Sequence, residues 1–308
     1  MVEENNMSVP DFSVIIPQRN SVKTLPKLLD SIPPGDAVEV IVVDNNPEPI
    51  SKAEIKSKRD FKLLWSSPEK FAGGARNRGI EAALGKWLIF ADADDYFTSY
   101  AFDVFKKHLN DNHDVIYFSA RGEYADGSGS TSRAAQYDHL IDGYLGDPKK
   151  EIDIRLYFSV PWAKMVRRQF VEDNGFRFDE VTAANDAYFS LMTGYYAKTI
   201  NASKDVVYVV TTSKGSLTKR KDEAAIWSRY EVGLRKNKFL REHDLSDKQS
   251  SLMVFIAESR HYGLKSVLRF LMAAFKYRQN IFIGWKRWLR TYQKTVKQER
   301  KESQYYTH

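Results

Sequence analysis

The chain of 308 residues contains no cysteine. Disulfide bonds, thiolate metal sites and cysteine nucleophiles are therefore excluded, and the absence fits a reducing compartment. No apolar run approaches the roughly 20 residues that a membrane-spanning helix needs. The first eight residues are polar and acidic, which is not the pattern of a secretory signal. Together these absences favour a cytoplasmic protein.

Apolar and aromatic residues are plentiful by contrast. Hydrophobic residues make up 43% of the chain and aromatic residues 13%, which is enough for a large core and excludes global disorder. The net charge of +7 is unevenly placed, because residues 1–210 carry 25 Lys and Arg against 31 Asp and Glu, whereas residues 211–308 carry 22 against 9. We therefore predict a catalytic domain over residues 1–220 and a helical, basic region over residues 221–308 with an anionic partner.

The first 95 residues alternate between strand patterns and helix patterns. Phe12–Pro17, Val38–Val43 and Trp87–Ala91 are continuous apolar runs, which are typical of buried parallel strands. Apolar residues at helical spacing follow the first run, and a glycine-rich helix start precedes the third. This order predicts an α/β fold with a mostly parallel sheet covered by helices on both faces. Residues 122–148, rich in Gly, Asp, Ser and Tyr, indicate a loop.

Three carboxylates, Asp92, Asp94 and Asp95, follow the apolar run that begins at Trp87. Carboxylates this close repel one another, so the cluster needs a compensating cation. Open α/β sheets also bind their ligands at the carboxyl ends of strands. The alternative interpretation is a solvated turn with an aspartate cap on the next helix.

Four segments in order resemble the family-2 glycosyltransferases of the GT-A fold. They are Ser13-Val-Ile-Ile-Pro17, Val40-Ile-Val-Val-Asp44, Gly74-Ala-Arg-Asn-Arg-Gly79 and Ala91-Asp-Ala-Asp-Asp95. The resemblance covers roughly residues 12–218. It implies a Rossmann-like catalytic domain and an inverting hexosyltransferase. It also implies a nucleotide-sugar donor, expected to be a UDP-sugar, and a hydroxyl acceptor on a surface glycan or on a lipid-linked sugar.

By this resemblance Asp92-Ala93-Asp94 is a DxD motif. Asp94 would then coordinate Mg²⁺ or Mn²⁺, which are hard cations that prefer oxygen ligands and phosphates. Asp92 would contact the ribose or the water shell of the metal. Such a metal bridges the two phosphates and neutralises charge on the leaving group. For Asp95, a capping role and a role in the site both stay open.

The resemblance places the nucleotide against the ends of the first strands and the start of the second helix. The expected nucleotide-binding residues are Pro17, Arg19, Asp44, Gly74, Arg76, Asn77 and Asp92. Backbone N–H groups at a helix start favour an anion, and Arg76 can add a charge-assisted bond to a phosphate. Asp44 is followed by Asn45-Asn46-Pro47 instead of a second acid or Gly-Ser, so the nucleobase contacts are expected to differ from those of the family.

Asp186 aligns with the general base of the family, which takes a proton from the acceptor hydroxyl. Asn185 stands where the family usually has Glu, which puts the role of that position in doubt. The alternative is that Asp186 is an ordinary acid at a helix start, where it interacts favourably with the helix dipole.

Two further segments resemble parts of the family that lie near the sugar and the diphosphate. Trp162 and Lys164 belong to a Pro-Trp-x-Lys segment expected near the donor sugar and the acceptor, together with Asn185. A tryptophan in a chain this aromatic is as often part of the core. Ser216 and Thr218 match a segment that can close over the diphosphate.

The C-terminal residues 280–308 have the pattern of a basic amphipathic helix with tryptophans at its border. An anionic membrane surface, at the inner face of the plasma membrane, would suit such a helix. Packing against the catalytic domain or a second subunit is the alternative. Two other functions stay open, a nucleotidyltransferase and a polyanion- or membrane-binding scaffold with a nucleotide-binding fold. No nucleic-acid partner is expected.

Overall fold

A computed structural model describes residues 9–212 and 222–284, and the chain divides into two units, Met1–Leu217 and Thr218–His308. The strands of the first unit, within the described residues, are β1 (Phe12–Gln18), β2 (Val38–Asp44), β3 (Lys62–Trp65), β4 (Trp87–Phe90), β5 (Tyr96–Phe97), β6 (Val115–Tyr124), β7 (Ser130–Thr131), β8 (Lys164–Arg167) and β9 (Ile200–Thr212). Its helices are α1 (Leu25–Asp30), α2 (Phe71–Ala82), α3 (Ala101–Lys107), α4 (Ala135–Gly146), α5 (Glu151–Tyr157), α6 (Arg168–Asp173) and α7 (Ala187–Tyr196).

The strands form one sheet in the order β3-β2-β1-β4-β8-β6-β9-β5, with β7 beside β6. β1 is parallel to β2 and β4, and β2 is parallel to β3. These four strands come from the segment whose continuous apolar runs predicted a parallel sheet, and that prediction is confirmed. The remaining part is mixed, because β8 runs antiparallel to both β4 and β6 while β9 is parallel to β6.

The carboxyl ends of β1, β2 and β4 lie at one edge of the sheet. Gln18 is opposite Asp44 in the β1–β2 pair, and Ile15 is opposite Phe90 in the β1–β4 pair. α2 packs closely on this part of the sheet, since a Cβ atom on Gly79 would lie 2.3 Å from Cγ2 of Ile15. The close packing at Gly79 fixes α2 against β1.

Residues 122–148 are more ordered than the predicted loop. β6 and β7 form a hairpin in which Gly122 is opposite Thr131, and α4 follows. Tyr137 and Ile141 of α4 are buried, and their spacing of four places them on one helix face. The prediction of a loop was wrong, because Tyr137, Leu140, Ile141 and Tyr144 recur at helical spacing within this polar segment.

The described part of the second unit is helical, as predicted, with α8 (Glu223–Glu242), α9 (Met253–Ser259) and α10 (Leu264–Lys276). α8 begins at Asp222, whose side chain accepts a hydrogen bond from the N–H of Ala225 at 3.0 Å. The core of this unit consists of Ile226, Tyr230, Leu234, Leu252 and Phe270. None of the helices in the described ranges is both long enough and apolar enough to cross a bilayer.

Candidate functional site

The turn after β4 places its three carboxylates in three different environments. Asp92 is half-buried and accepts a hydrogen bond from Nη2 of Arg76 at 2.6 Å. Asp95 is buried and accepts one from the N–H of Thr211 at 2.7 Å, so it holds β9 and does not cap the next helix. Asp94 is exposed, and its carboxylate accepts a hydrogen bond from its own backbone N–H. Asp94 is therefore the carboxylate that a ligand can reach.

The raised pKa values in this acid cluster indicate that nearby cations offset its negative charge only in part. Desolvation and then the charge of Asp92 raise the pKa of Asp94, although Arg133 lowers it. Burial, followed by the charges of Asp92 and Asp94, raises the pKa of Asp95 well above its usual value. A raised carboxyl pKa means that the folded protein binds protons more readily, so these groups lower stability as the pH rises above the ordinary aspartate range. A bound cation would relieve that cost.

β9 supports the acid cluster from the neighbouring part of the sheet, a role that the sequence analysis missed. The phenol oxygen of Tyr208 accepts a hydrogen bond from the N–H of Asp92 at 2.8 Å. Oγ1 of Thr211 donates to the backbone carbonyl of Asp94 at 2.5 Å, and Nη1 of Arg133 donates to the carbonyl of Thr211 at 2.8 Å. No local sequence pattern predicts these contacts, because they join residues far apart in the chain.

Arg76 on α2 connects the acid cluster to the segment that precedes α7. Its Nη2 contacts Asp92, and its Nη1 donates to Oδ1 of Asn185 at 2.7 Å. The guanidinium group is buried, and its central carbon lies 5.3 Å from the ring centroid of Phe178. Two of its nitrogens are thus committed to protein groups. Arg76 holds two parts of the site together, and the phosphate contact expected of it stays a prediction.

Asp186 directly precedes α7 without capping it. The residue is half-buried, and its side chain makes no capping hydrogen bond to the helix. Desolvation raises its pKa most; Arg76 and Lys164 lower it, and Asp92 raises it. A carboxylate that the helix does not use, with a pKa nearer to neutrality, is suited to accept a proton. The side chain is not used as a cap, and the role of Asp186 as a general base stays a prediction.

α2 also holds the backbone that leads to Asp186. Nδ2 of Asn77 donates to the carbonyl of Phe178 at 3.0 Å, and its Oδ1 accepts from the N–H of Phe178 at 2.8 Å. The amide that was expected to contact the nucleotide is therefore committed to the backbone. Gly73 lies against the same segment, since a Cβ atom there would be 1.9 Å from the carbonyl oxygen of Asp179.

We expect Gly73→Ala to destabilise the protein by about 2 kcal/mol, because the added methyl group forces the two backbones apart. The same displacement would weaken the contact between Arg76 and Asn185. Gly146→Ala at the end of α4 is the matched control, since no atom lies within 4 Å of a Cβ there. The control should be neutral or more stable by about 0.5 kcal/mol. Urea unfolding of both variants measures the difference, and equal stabilities would contradict the close approach.

Asp44 at the end of β2 is buried and held by local groups. Its Oδ1 accepts hydrogen bonds from Nε2 of Gln18 at 2.9 Å and Nδ2 of Asn46 at 2.7 Å. Its Oδ2 accepts from the N–H of Ile50 at 2.9 Å. The carboxylate therefore shapes the turn after β2, and the sequence Asn45-Asn46-Pro47 supplies part of its hydrogen bonding.

The other residues expected near the nucleotide lie at the same edge of the sheet or at the start of α2. Pro17 is buried within β1, and Arg19 is exposed just beyond that strand. Gly74 is buried in the first turn of α2, where a Cβ atom would lie 2.3 Å from Cβ of Lys70. Of these, Arg19 is the side chain that is open to a ligand.

Trp162 and Lys164 point into the core. The ring of Trp162, only 3% exposed, stacks on Tyr208 with centroids 5.7 Å apart and contacts the ring of Tyr137. Nζ of Lys164 is buried and donates to the carbonyl of Phe158 at 2.7 Å. A ring packed in this way offers no face to a sugar, so the core alternative describes Trp162. Its contact with Tyr208 supports the acid cluster indirectly.

The residues present fit a metal only as part of a shared complex. In the described ranges no group of three or more His, Cys, Asp or Glu side chains could hold a metal ion. Asp94 offers one open carboxylate, and Mg²⁺ commonly takes its other ligands from substrate phosphates and water. Asp94 therefore fits a cation that is held jointly with a diphosphate. Ser216 and Thr218 lie outside the described residues.

Comparison with known proteins connects this site to an enzyme family. The profile of the family described as Glycosyl transferase family 2 matches residues 13–175. EpsH of Bacillus subtilis (strain 168), named as a glycosyltransferase, is 25% identical over 81% of this chain and 75% of its own length. The poly(ribitol-phosphate) beta-N-acetylglucosaminyltransferase TarS of Staphylococcus aureus (strain Mu50) is 25% identical over 66% of this chain. The match spans only 36% of TarS.

A solved structure shows the same fold. The crystal structure of TarS residues 1–349 in complex with UDP-GlcNAc superposes with a TM-score of 0.58 at 22% identity. The superposition covers 88% of this chain and 74% of that one. The predicted GT-A architecture is thereby confirmed.

Proposed function

Because the chain belongs to glycosyl transferase family 2, we propose that it is an inverting, metal-assisted hexosyltransferase. It moves a sugar from a UDP-sugar to a hydroxyl group of a glycan or a lipid-linked acceptor. The observation that carries this proposal is the bridge by Arg76, which joins Asp92 to Asn185, the neighbour of Asp186. The carboxylates that a metal-bound diphosphate needs and the carboxylate that can accept a proton thus belong to one connected network.

Asp186 acts as the general base in a single displacement. The acceptor oxygen attacks the anomeric carbon from the face opposite the diphosphate while its proton passes to the Asp186 carboxylate. The bond between the anomeric carbon and the phosphate oxygen breaks, and the electron pair leaves with UDP. One displacement inverts the anomeric configuration. The raised pKa of Asp186 makes this carboxylate a stronger base than an ordinary aspartate.

The opposite side of the site holds the leaving group. Asp94 would hold Mg²⁺ or Mn²⁺ jointly with the diphosphate, and this cation neutralises charge on the departing phosphate. Arg133 adds positive charge close to Asp94 and Asp95. Asn185 is neutral where the family usually has Glu. The positive charge of Arg76 therefore acts on the carboxylates of Asp92 and Asp186, and position 185 adds no further carboxylate.

The acceptor side of the proposal rests on the named functions of relatives. A beta-N-acetylglucosaminyltransferase that acts on poly(ribitol-phosphate) and a glycosyltransferase of Bacillus subtilis are both similar to this chain. The solved complex of TarS with UDP-GlcNAc supports a UDP-sugar donor, and the poly(ribitol-phosphate) named for TarS supports a polymer as the acceptor. Membrane contact through residues 280–308 stays a prediction, since most of that segment lies outside the described residues. Neither a scaffold nor a nucleotidyltransferase needs a general base at Asp186.

A screen of nucleotide sugars with and without Mn²⁺ tests the proposal. We expect metal-dependent binding of UDP-sugars, slow release of UDP without an acceptor, and faster release with the correct acceptor. Release of pyrophosphate from a nucleoside triphosphate and a sugar phosphate would instead support the nucleotidyltransferase. Absence of nucleotide binding under all conditions would support the scaffold.

A further inference from the structure

α10 buries one side and leaves a second apolar side uncovered. Ser266, Phe270 and Ala274 are spaced by four and buried, with Phe270 in the core of the second unit. The exposed apolar residues lie on a different side and are here called the apolar stripe: Leu264, Leu268, Leu271, Met272 and Phe275. At 100° per residue these five fall within an arc of about 100°. α10 therefore has two distinct apolar sides, and the core uses only one.

Three residues of the apolar stripe have most of their surface exposed. Phe275 is 87% exposed, Leu264 74% and Met272 71%. Single apolar residues on a surface are normal, but a contiguous row on one helix marks a site of interaction. Phe282, just beyond α10, is also exposed.

A row of cations runs beside the apolar stripe. Lys265, Arg269 and Lys276 follow one another within an arc of about 40° along one border of the stripe. The guanidinium carbon of Arg269 lies 3.7 Å from the ring centroid of Trp227, which holds this cation against the body of the unit. No acidic residue occurs in the sequence between Glu258 and Glu299. The exposed residues of α10 are therefore all either apolar or basic.

The positive charge continues past the end of the helix. A cavity of about 520 Å³ lies there, lined by Lys238, Arg241, Glu242, Lys276, Tyr277 and Arg278. Nη2 of Arg241 donates to the carbonyl of Tyr277 at 2.5 Å, so this cation is fixed to the end of α10. The cavity lining holds four cations and one carboxylate, which suits an anionic headgroup.

We propose that α10 docks this chain on an anionic lipid surface. The apolar stripe enters the boundary between headgroups and acyl chains, while the neighbouring lysines and arginines meet the lipid phosphates. A second copy of the chain would cover the stripe less well. Pairing two copies brings two rows of cations to one interface, and α10 has no carboxylate to offset them. This docking is independent of the proposed transfer chemistry.

Co-sedimentation of the full chain with vesicles tests the docking. We expect binding to vesicles of phosphatidylglycerol and phosphatidylcholine, weakened by salt, and little binding to phosphatidylcholine alone. The double variant Met272→Gln/Phe275→Gln should bind at least about tenfold more weakly. Lys265→Gln and Lys276→Gln should each weaken binding about fivefold. Leu84→Gln, which alters an exposed leucine of the first unit, is the matched control and should bind like wild type.

Three results would overturn the docking. They are no binding of the wild type to anionic vesicles, equal binding by Met272→Gln/Phe275→Gln, and a wild-type dimer that this variant abolishes without any vesicle binding. Circular dichroism and thermal melting check that the variants fold. UDP binding by the same variants should equal that of wild type. The outcome on vesicles is therefore separate from the outcome for the proposed enzyme.

Discussion

Asp186→Asn should lower the rate of sugar transfer by about a thousandfold and leave the affinity for the UDP-sugar unchanged. The amide has the same shape as the carboxylate and cannot take the proton of the acceptor hydroxyl. α7 does not use this side chain as a cap, so the substitution should not unfold the segment. Initial rates with the acceptor and direct titration of the donor measure the two quantities separately.

The pH dependence of kcat/KM gives an independent test of Asp186. The base must be deprotonated, and burial raises its pKa, so wild-type activity should fall as the pH drops through a value above the ordinary aspartate pKa of about 3.9. Asp186→Asn should lack this acid limb. Asp103→Asn, which alters an exposed aspartate in the first turn of α3, is the control and should keep wild-type rate and profile. Normal turnover in Asp186→Asn would place the base elsewhere.

Arg76→Met should destabilise the protein by about 3 kcal/mol at neutral pH and abolish donor binding. The substitution leaves Asp92 without its cation beside two further carboxylates, and it leaves Oδ1 of Asn185 without a donor. Because the pKa values of Asp94 and Asp95 are already raised, these groups take up protons readily as the pH falls. The loss of stability should therefore be smaller at about pH 5 than at neutral pH.

Arg78→Met is the matched control for this prediction, because Arg78 lies on the same helix, is exposed and pairs with Glu81 at the surface. Arg78→Met should lower the free energy of unfolding by less than about 0.5 kcal/mol. Urea unfolding of both variants at the two pH values provides the comparison. Similar small losses in the two variants would show that the Arg76 bridge contributes little to the site.

Local sequence correctly predicted the parallel strands of the first unit, whereas the helix α4 was missed. The continuous apolar runs of β1, β2 and β4 identify buried parallel strands, and the acids after β4 identify the edge where they end. Both signals lie within a few residues of the structure that they predict. The resemblance to a family then indicated that these separate segments contribute to one site.

Contacts between distant segments could not be predicted. Arg76 and Asn185 are 109 positions apart, and no local sequence pattern predicts the hydrogen bond between their side chains. Tyr208 lies in a strand whose position next to Asp92 depends on the order of the whole sheet. From the sequence, the ring of Trp162 could contact a sugar or pack in the core. In the structure it stacks on Tyr208 within the core.

A titration of UDP with and without Mn²⁺, for the wild type and for Asp94→Asn, tests the assignment of Asp94 as the metal ligand. Asp94 is the open carboxylate of the acid cluster, so the metal should tighten UDP binding to the wild type by at least about tenfold. In Asp94→Asn, UDP binding should no longer respond to the metal, whereas Asp126→Asn in the hairpin of β6 and β7 should respond like wild type. If Mn²⁺ tightens UDP binding to Asp94→Asn as much as to the wild type, the central assignment of this site is wrong.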